Sequence, residues 1–148
     1  MKSTTNSHEL HKRVKTFSKR VAKDVEKAFK KIGKYPSKRD YPAMASACCF
    51  CCMGYIAVDH SKSPQSASFH PVLRNKLMIL GEIGQKSLRT KCENIIGNCA
   101  EVHAANKLLK SNKCNKLKDI YFSVAMRPRT LEESLPCENC KATFPTLK

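Results

Sequence analysis

Cys99-Ala100-Glu101 and Pro136-Cys137-Glu138-Asn139-Cys140 are the segments of this chain whose residue types and spacing can do chemistry. A C-x-x-C by itself occurs in zinc ribbons and redox proteins alike. A third thiol at the start of a separate helix makes the stronger case for a metal. Helix N-termini carry partial positive charge and unpaired N–H groups, which favour the metal-binding thiolate. Zinc held by three protein ligands keeps a fourth position for water, the mark of a catalytic rather than a structural site. Glu101 stands two residues beyond Cys99, within reach of such a water without being a ligand. A carboxylate there can take a proton from the water and return it to a leaving group. The competing arrangement recruits His103, four residues after Cys99 on the same helix face, into a closed Cys3His site. That arrangement makes a binding module instead of an enzyme.

The elements that must position these residues follow from periodicity. Val14, Phe17, Val21, Val25, Ala28, Phe29 and Ile32 recur at helical spacing, which predicts a basic amphipathic helix from about His8 to Ile32. Gly33 and the Tyr35-Pro36-Ser37 turn end it. The small, thiol-bearing and β-branched run Ala43 to Asp59, broken at Met53-Gly54, predicts a hairpin. After a Ser/Pro loop from His60 to Ser68, Val72 to Gln85 reads as a helix with Pro71 near its first turn. Leu73, Leu77, Leu80 and Ile83 lie along one side of it. Lys86 to Asn94 is a polar connector, and a helix starting near Asn98, its cap, runs to Lys110. Leu117 to Met126 is a buried-type strand, and Leu135-Pro136-Cys137 opens a last short helix ending by Phe144-Pro145. This order predicts an α/β domain, helices packed on a small mixed sheet. Residues 1–40 form a basic helical arm and residues 41–148 the zinc domain.

Charge and cysteine usage bound the setting. The 148 residues carry 28 Lys+Arg against 12 Asp+Glu, a net of +16, which favours a polyanionic partner, above all nucleic acid. The excess is uneven: residues 1–40 hold a net of +9, and the much longer remainder +7. No apolar run is long enough for a transmembrane helix, and the N-terminus has no secretory signal. Nine cysteines cannot all pair within the chain, and thiols that stay reduced predict a reducing compartment, cytoplasmic or nuclear.

The motif pair resembles the cytidine deaminase-like superfamily, whose zinc deaminases combine H-x-E, or a Cys-ligated variant, with P-C-x-x-C. This chain reads C-A-E at 99–101 and P-C-E-N-C at 136–140. The longer string Gly97-Asn-Cys-Ala-Glu-Val-His-Ala-Ala-Asn-Lys-Leu-Leu109 is similar to the YwqJ-like branch, found as C-terminal toxin domains of bacterial polymorphic toxins. The resemblance spans about 97–140, and residues 1–40 have no counterpart in it. It implies a three-layer deaminase fold, Zn2+ bound by Cys99, Cys137 and Cys140, and Glu101 as proton shuttle in hydrolytic loss of an amino group. It further implies a nucleobase substrate, delivery into a target cell and an immunity protein as partner. Members of the family continue beyond the second cysteine pair, whereas this chain stops at Lys148. The base-contacting asparagine is open among Asn75, Asn94 and Asn98.

The remaining reactive types have plainer readings. Successive strand residues face opposite sides, so Cys48, Cys49, Cys51 and Cys52 divide between two faces and are expected to pack rather than converge on a metal. Cys92 and Cys114 take no role, and His60 and His70 are loop residues without assigned chemistry. Arg127 and Arg129, around Pro128, either meet a phosphate near the site or serve the surface. Besides the enzyme, two other classes fit the same residues: a non-catalytic zinc-binding nucleic-acid module, and a protein-interaction domain.

Overall fold

A computed structural model describes residues 2–50, 54–111 and 116–148, with side chains from Ser7 onward. Strand β1 (Ala45–Phe50) organises the rest. Its residues are small or thiol-bearing, and all but Phe50 are buried, so both faces of the strand can be covered closely. Along one edge it pairs with β2 (Ala57–His60), forming the hairpin that the sequence predicts over 43–59. Along the other edge it pairs with β3 (Ile120–Phe122) and β4 (Ala125–Met126), and β4 pairs in turn with β5 (Glu133–Ser134).

Every described pairing is antiparallel, which corrects the expectation of a mixed sheet. The reason is connectivity. Two direct hairpins join β1 to β2 and β4 to β5, and the long excursion between β2 and β3 returns beside β1 in the opposite sense.

The single strand expected over 117–126 is divided. Leu117–Asp119 is a 3-10 turn, and one extra residue interrupts the pairing between β3 and β4. Cys48 faces Phe122, yet Ala45 faces Met126, so four steps on one strand match three on the other. This is a β-bulge at Ser123-Val124. Ser123 holds it: its N–H donates to Ala47 O at 2.8 Å, and its hydroxyl accepts from Ala47 N at 3.0 Å. Past the bulge the alternation is reversed. Met126 packs on the same side as Ala45, Ala47 and Cys49, while Ala125 and Arg127 line the cleft described below.

Helices cover both faces, giving three layers. On one side α1 (Lys2–Lys31) presses Leu10 and Val14 against Ala45, Ala47, Cys49 and Met126. It begins six residues before the predicted His8, since extending a formed helix costs little per residue. It ends as expected at Gly33, whose φ of 67° allows Lys34 N–H to reach back to Phe29 O and its own N–H to Lys30 O. On the other side α2 (Pro71–Leu80), α3 (Ala100–Lys110) and α4 (Glu138–Thr143) share a core of Leu73, Leu77, Leu108, Ile120 and Phe144.

Two helix boundaries differ from the expectation. Helix α2 stops at Leu80 rather than Gln85, because Gly81 (φ 146°) turns the chain out of the helix and Ile83 packs on the core from the following turn. Helix α3 is capped by Cys99, not Asn98. Gly97 sets that entry: its φ is 91°, and a Cβ there would lie 2.9 Å from Pro64.

Candidate metal centre

The N-cap of α3 and the first turn of α4 meet at one end of this helical layer, bringing Cys99, Cys137 and Cys140 together. Cys99 and Cys137 occupy N-cap positions, and Cys140 follows one turn into α4. Their sulfurs all lie within 4.8 Å of one another, with Cys99 and Cys137 at 3.2 Å. Tetrahedral zinc with Zn–S near 2.3 Å places sulfurs about 3.8 Å apart, so small side-chain adjustments suffice.

Cys140 is fully buried, while Cys99 and Cys137 border an open cleft. Hydrogen bonds from Cys140 and Cys99 hold the Cys137 thiol well below its ordinary range. Donation to Cys137 raises both partners, Cys140 and Cys99, with burial adding to the effect. Ionising all three convergent sulfurs at once is opposed by the repulsion among their charges. A divalent cation is what allows all three to ionise together, and the donor set fits zinc.

Glu101 stands in the first turn of α3, only 5% exposed, with Oε1 3.9 Å from Cys140 Sγ. Burial pushes its carboxyl above the usual carboxylate range. It lines a cleft of about 300 Å³ together with Cys99 and Cys137. Asn94, Asn98, Ser61 and Arg127 supply polar groups to the same cleft, and Leu135, 84% exposed, stands at its edge. A buried carboxylate beside three clustered thiols and a polar-lined cleft is chemically able to exchange protons with a molecule in that cleft.

The other candidates separate cleanly. His103 turns away from the sulfurs: Nε2 is 3.0 Å from Lys62 O and its ring lies against Phe69. Burial lowers its pKa, and it is not among the clustered ligands. Of the three asparagines, Asn94 and Asn98 line the cleft, whereas Asn75 is exposed on α2. His70 caps α2, accepting from Val72 N–H at Nδ1, and His60 stacks on Phe17. Cys48 and Cys49 belong to opposite cores, one under α3 and one under α1. Cys51, Cys52 and Cys114 lie outside the described residues.

One contributor escaped the sequence reading. Asn139, between the α4 ligands, is 4% exposed; its amide donates to Asn94 O at 3.1 Å, and its Oδ1 accepts from Thr90 at 2.5 Å. It ties the 86–94 connector over the metal helix. The one sequence signal for it is its place inside the C-x-x-C. Among the described residues no helix is long and apolar enough to cross a membrane. Comparison with protein-family models, curated proteins and solved structures gives no significant match.

Proposed function

We propose that this chain is a zinc-dependent hydrolytic deaminase of the cytidine deaminase-like kind, acting on a nucleobase carried in nucleic acid rather than on a free nucleoside. One observation carries the reading: three cysteines from two helix starts converge beside a buried glutamate that faces a cleft. The layered arrangement of α1, the sheet and α2–α4 supports the same fold class. The Gly97–Leu109 string extends the proposal to a toxin or effector domain with an immunity partner.

Cys99, Cys137 and Cys140 would hold the zinc, which when bound supplies a Lewis acid that activates water. Glu101 moves the protons. Its raised carboxyl pKa lets it take one from the water and pass it to the departing amino group. Oxygen joins the amino-bearing ring carbon, the C–N bond breaks, and ammonia leaves. Asn98 offers an amide to the ring edge, Asn94 borders it with its side chain bonded to Cys137, and Ala125 adds a small side chain to the cleft wall. A base inside a duplex has no path to a glutamate this deep, so the substrate strand is single or the base is extruded.

The test is Glu101→Ala. Ammonia release from cytosine- or adenine-containing nucleic acid should fall by about 10²–10⁴-fold. Zinc should stay bound at one per chain. Unchanged turnover, or X-ray absorption showing four protein ligands, removes the enzyme reading.

A further inference from the structure

Beside the cleft lies a second groove of about 550 Å³, lined by Lys38, Arg39, Tyr41 and Pro42 from one segment and by Arg129 from another. Ala43 and Arg127 line both, so the two adjoin at these residues. Four of the lining residues are cationic and none is acidic. Its walls are fixed. Lys38 and Arg39 sit in a short 3-10 turn whose Ser37 N–H donates to Asp40 Oδ2 at 2.7 Å. Arg127 and Arg129 sit in the β4–β5 turn, where Arg127 N–H donates to Glu132 O at 2.8 Å and Leu131 N–H to Arg127 O at 2.7 Å. Pro128, fully buried between the two arginines, anchors that turn. Tyr41 donates its hydroxyl to Glu26 at 3.0 Å, which holds the ring at the groove wall. The carboxylates on the surrounding segments are each engaged by a neighbour: Glu26 by Tyr41, Asp40 by Ser37, Glu132 by Thr130 and Glu133 by His11.

We infer that this groove holds the backbone of a single-stranded polynucleotide whose target base enters the Glu101 cleft, with Arg127 on the phosphate at the junction. Lys38, Arg39 and Arg129 meet the adjoining phosphates, and Tyr41 offers a ring on which a neighbouring base stacks. A lone nucleoside uses none of these cations, and a mononucleotide needs only the one at the junction. Three further cations beyond the one at the junction fit a strand. This rests on the reading of the Glu101 cleft as a nucleobase site.

Binding, read by fluorescence anisotropy with labelled single-stranded DNA and RNA ten nucleotides long, tests the groove without turnover. The full zinc-loaded chain is compared with R39S/R129S and with K110S/K118S, which removes equal charge from exposed positions away from the groove. The groove pair should weaken binding by 10-fold or more and flatten the slope of log K against log salt by about 1.4, two single-strand phosphate contacts. Y41A should cost at least 5-fold. The distant pair should change affinity by less than 2-fold. Equal losses in the two pairs, or no oligonucleotide binding by the unmutated chain, overturn the proposal. Groove-dependent binding without ammonia release upholds the groove and removes the deaminase. Release from free nucleosides without oligonucleotide binding does the reverse.

Discussion

Helices α1 and α3 lie on opposite faces of the same strand, β1, and use it differently. Helix α3 is eleven residues long and buries eight, Glu101 and His103 among them. Helix α1 spans thirty residues and, among those with described side chains, buries Leu10, Val14 and Ser18. The partner surfaces match. Towards α1 the sheet shows small residues, Ala45, Ala47 and Cys49, against which one narrow stripe suffices. Towards α3 it contributes to a core also built by α2 and α4. A helix packed on nearly all sides holds its N-terminal residues to within fractions of an ångström, as a ligand and a proton carrier require. A helix packed along one stripe can change its outer surface freely. The candidate metal ligand Cys99 and the buried Glu101 belong to the first, and much of the charge to the second.

The largest effect should come from breaking the packing of α3. Leu108 is 1% exposed in the shared core, and Leu108→Ala should cost about 3–5 kcal/mol in urea unfolding. Zinc affinity should fall as well, because Cys99 begins the same helix. Val14→Ala, in the α1 stripe, removes two methyl groups and should cost about 1–2 kcal/mol. It should leave zinc affinity unaltered. Equal losses of zinc affinity in the two variants would erase the distinction between the helices.

How much of this contrast was legible in sequence depends on range. The α1 stripe, its Gly33 stop, the β1–β2 hairpin and the α4 start at Cys137 are written in local spacing and turn chemistry. The convergence of Cys99, Cys137 and Cys140 was legible too, because the C-A-E and P-C-x-x-C segments fall at helix starts, which have recognisable patterns. The bulge at Ser123 was not legible. It is a mismatch between two strands more than seventy residues apart, and Ser123 reads as any strand serine until Ala47 is placed beside it. The early end of α2 was hidden by Ile83, which continues the apolar spacing although Gly81 has already turned the chain. Arg127 and Arg129 were visible as charges, but the hairpin that sets them beside Tyr41 was not. Long-range register, more than local propensity, marks where sequence reading stops.

A smaller effect should come from the buried carboxylate on α3. Burial raises the Glu101 carboxyl pKa in the metal-free fold, so the folded chain binds more protons there than the unfolded chain does. Stability is then highest below the unfolded value of about 4.3 and falls as pH rises through the raised folded value. Glu101→Gln removes that loss. At pH 7 the metal-free variant should be more stable than the unmutated chain, and at pH 4 the two should coincide. Urea unfolding with a chelator present measures both. A variant less stable at pH 7 would mean that the carboxylate is held by partners favouring its charge.

The smallest effect belongs to the outer surface of α1. Lys19 and Lys23 are exposed and one helical turn apart, a like-charge pair within a chain of net +16. Such pairs destabilise a helix by a few tenths of a kcal/mol, and a glutamate four residues before a lysine stabilises it by a similar amount. Lys19→Glu converts one into the other and lowers the overall self-repulsion. The gain should be about 0.5 kcal/mol at low ionic strength. It should vanish in 1 M salt, where the Debye length is near 3 Å. In α3 such freedom is confined to the few exposed positions such as Lys107 and Lys110, since Glu101, Val102, Ala104 and Ala105 are all enclosed. If Lys19→Glu destabilises the chain by more than about 1 kcal/mol, or if salt leaves the change intact, the outer surface of α1 is packed, and the two helices differ less than their burial indicates.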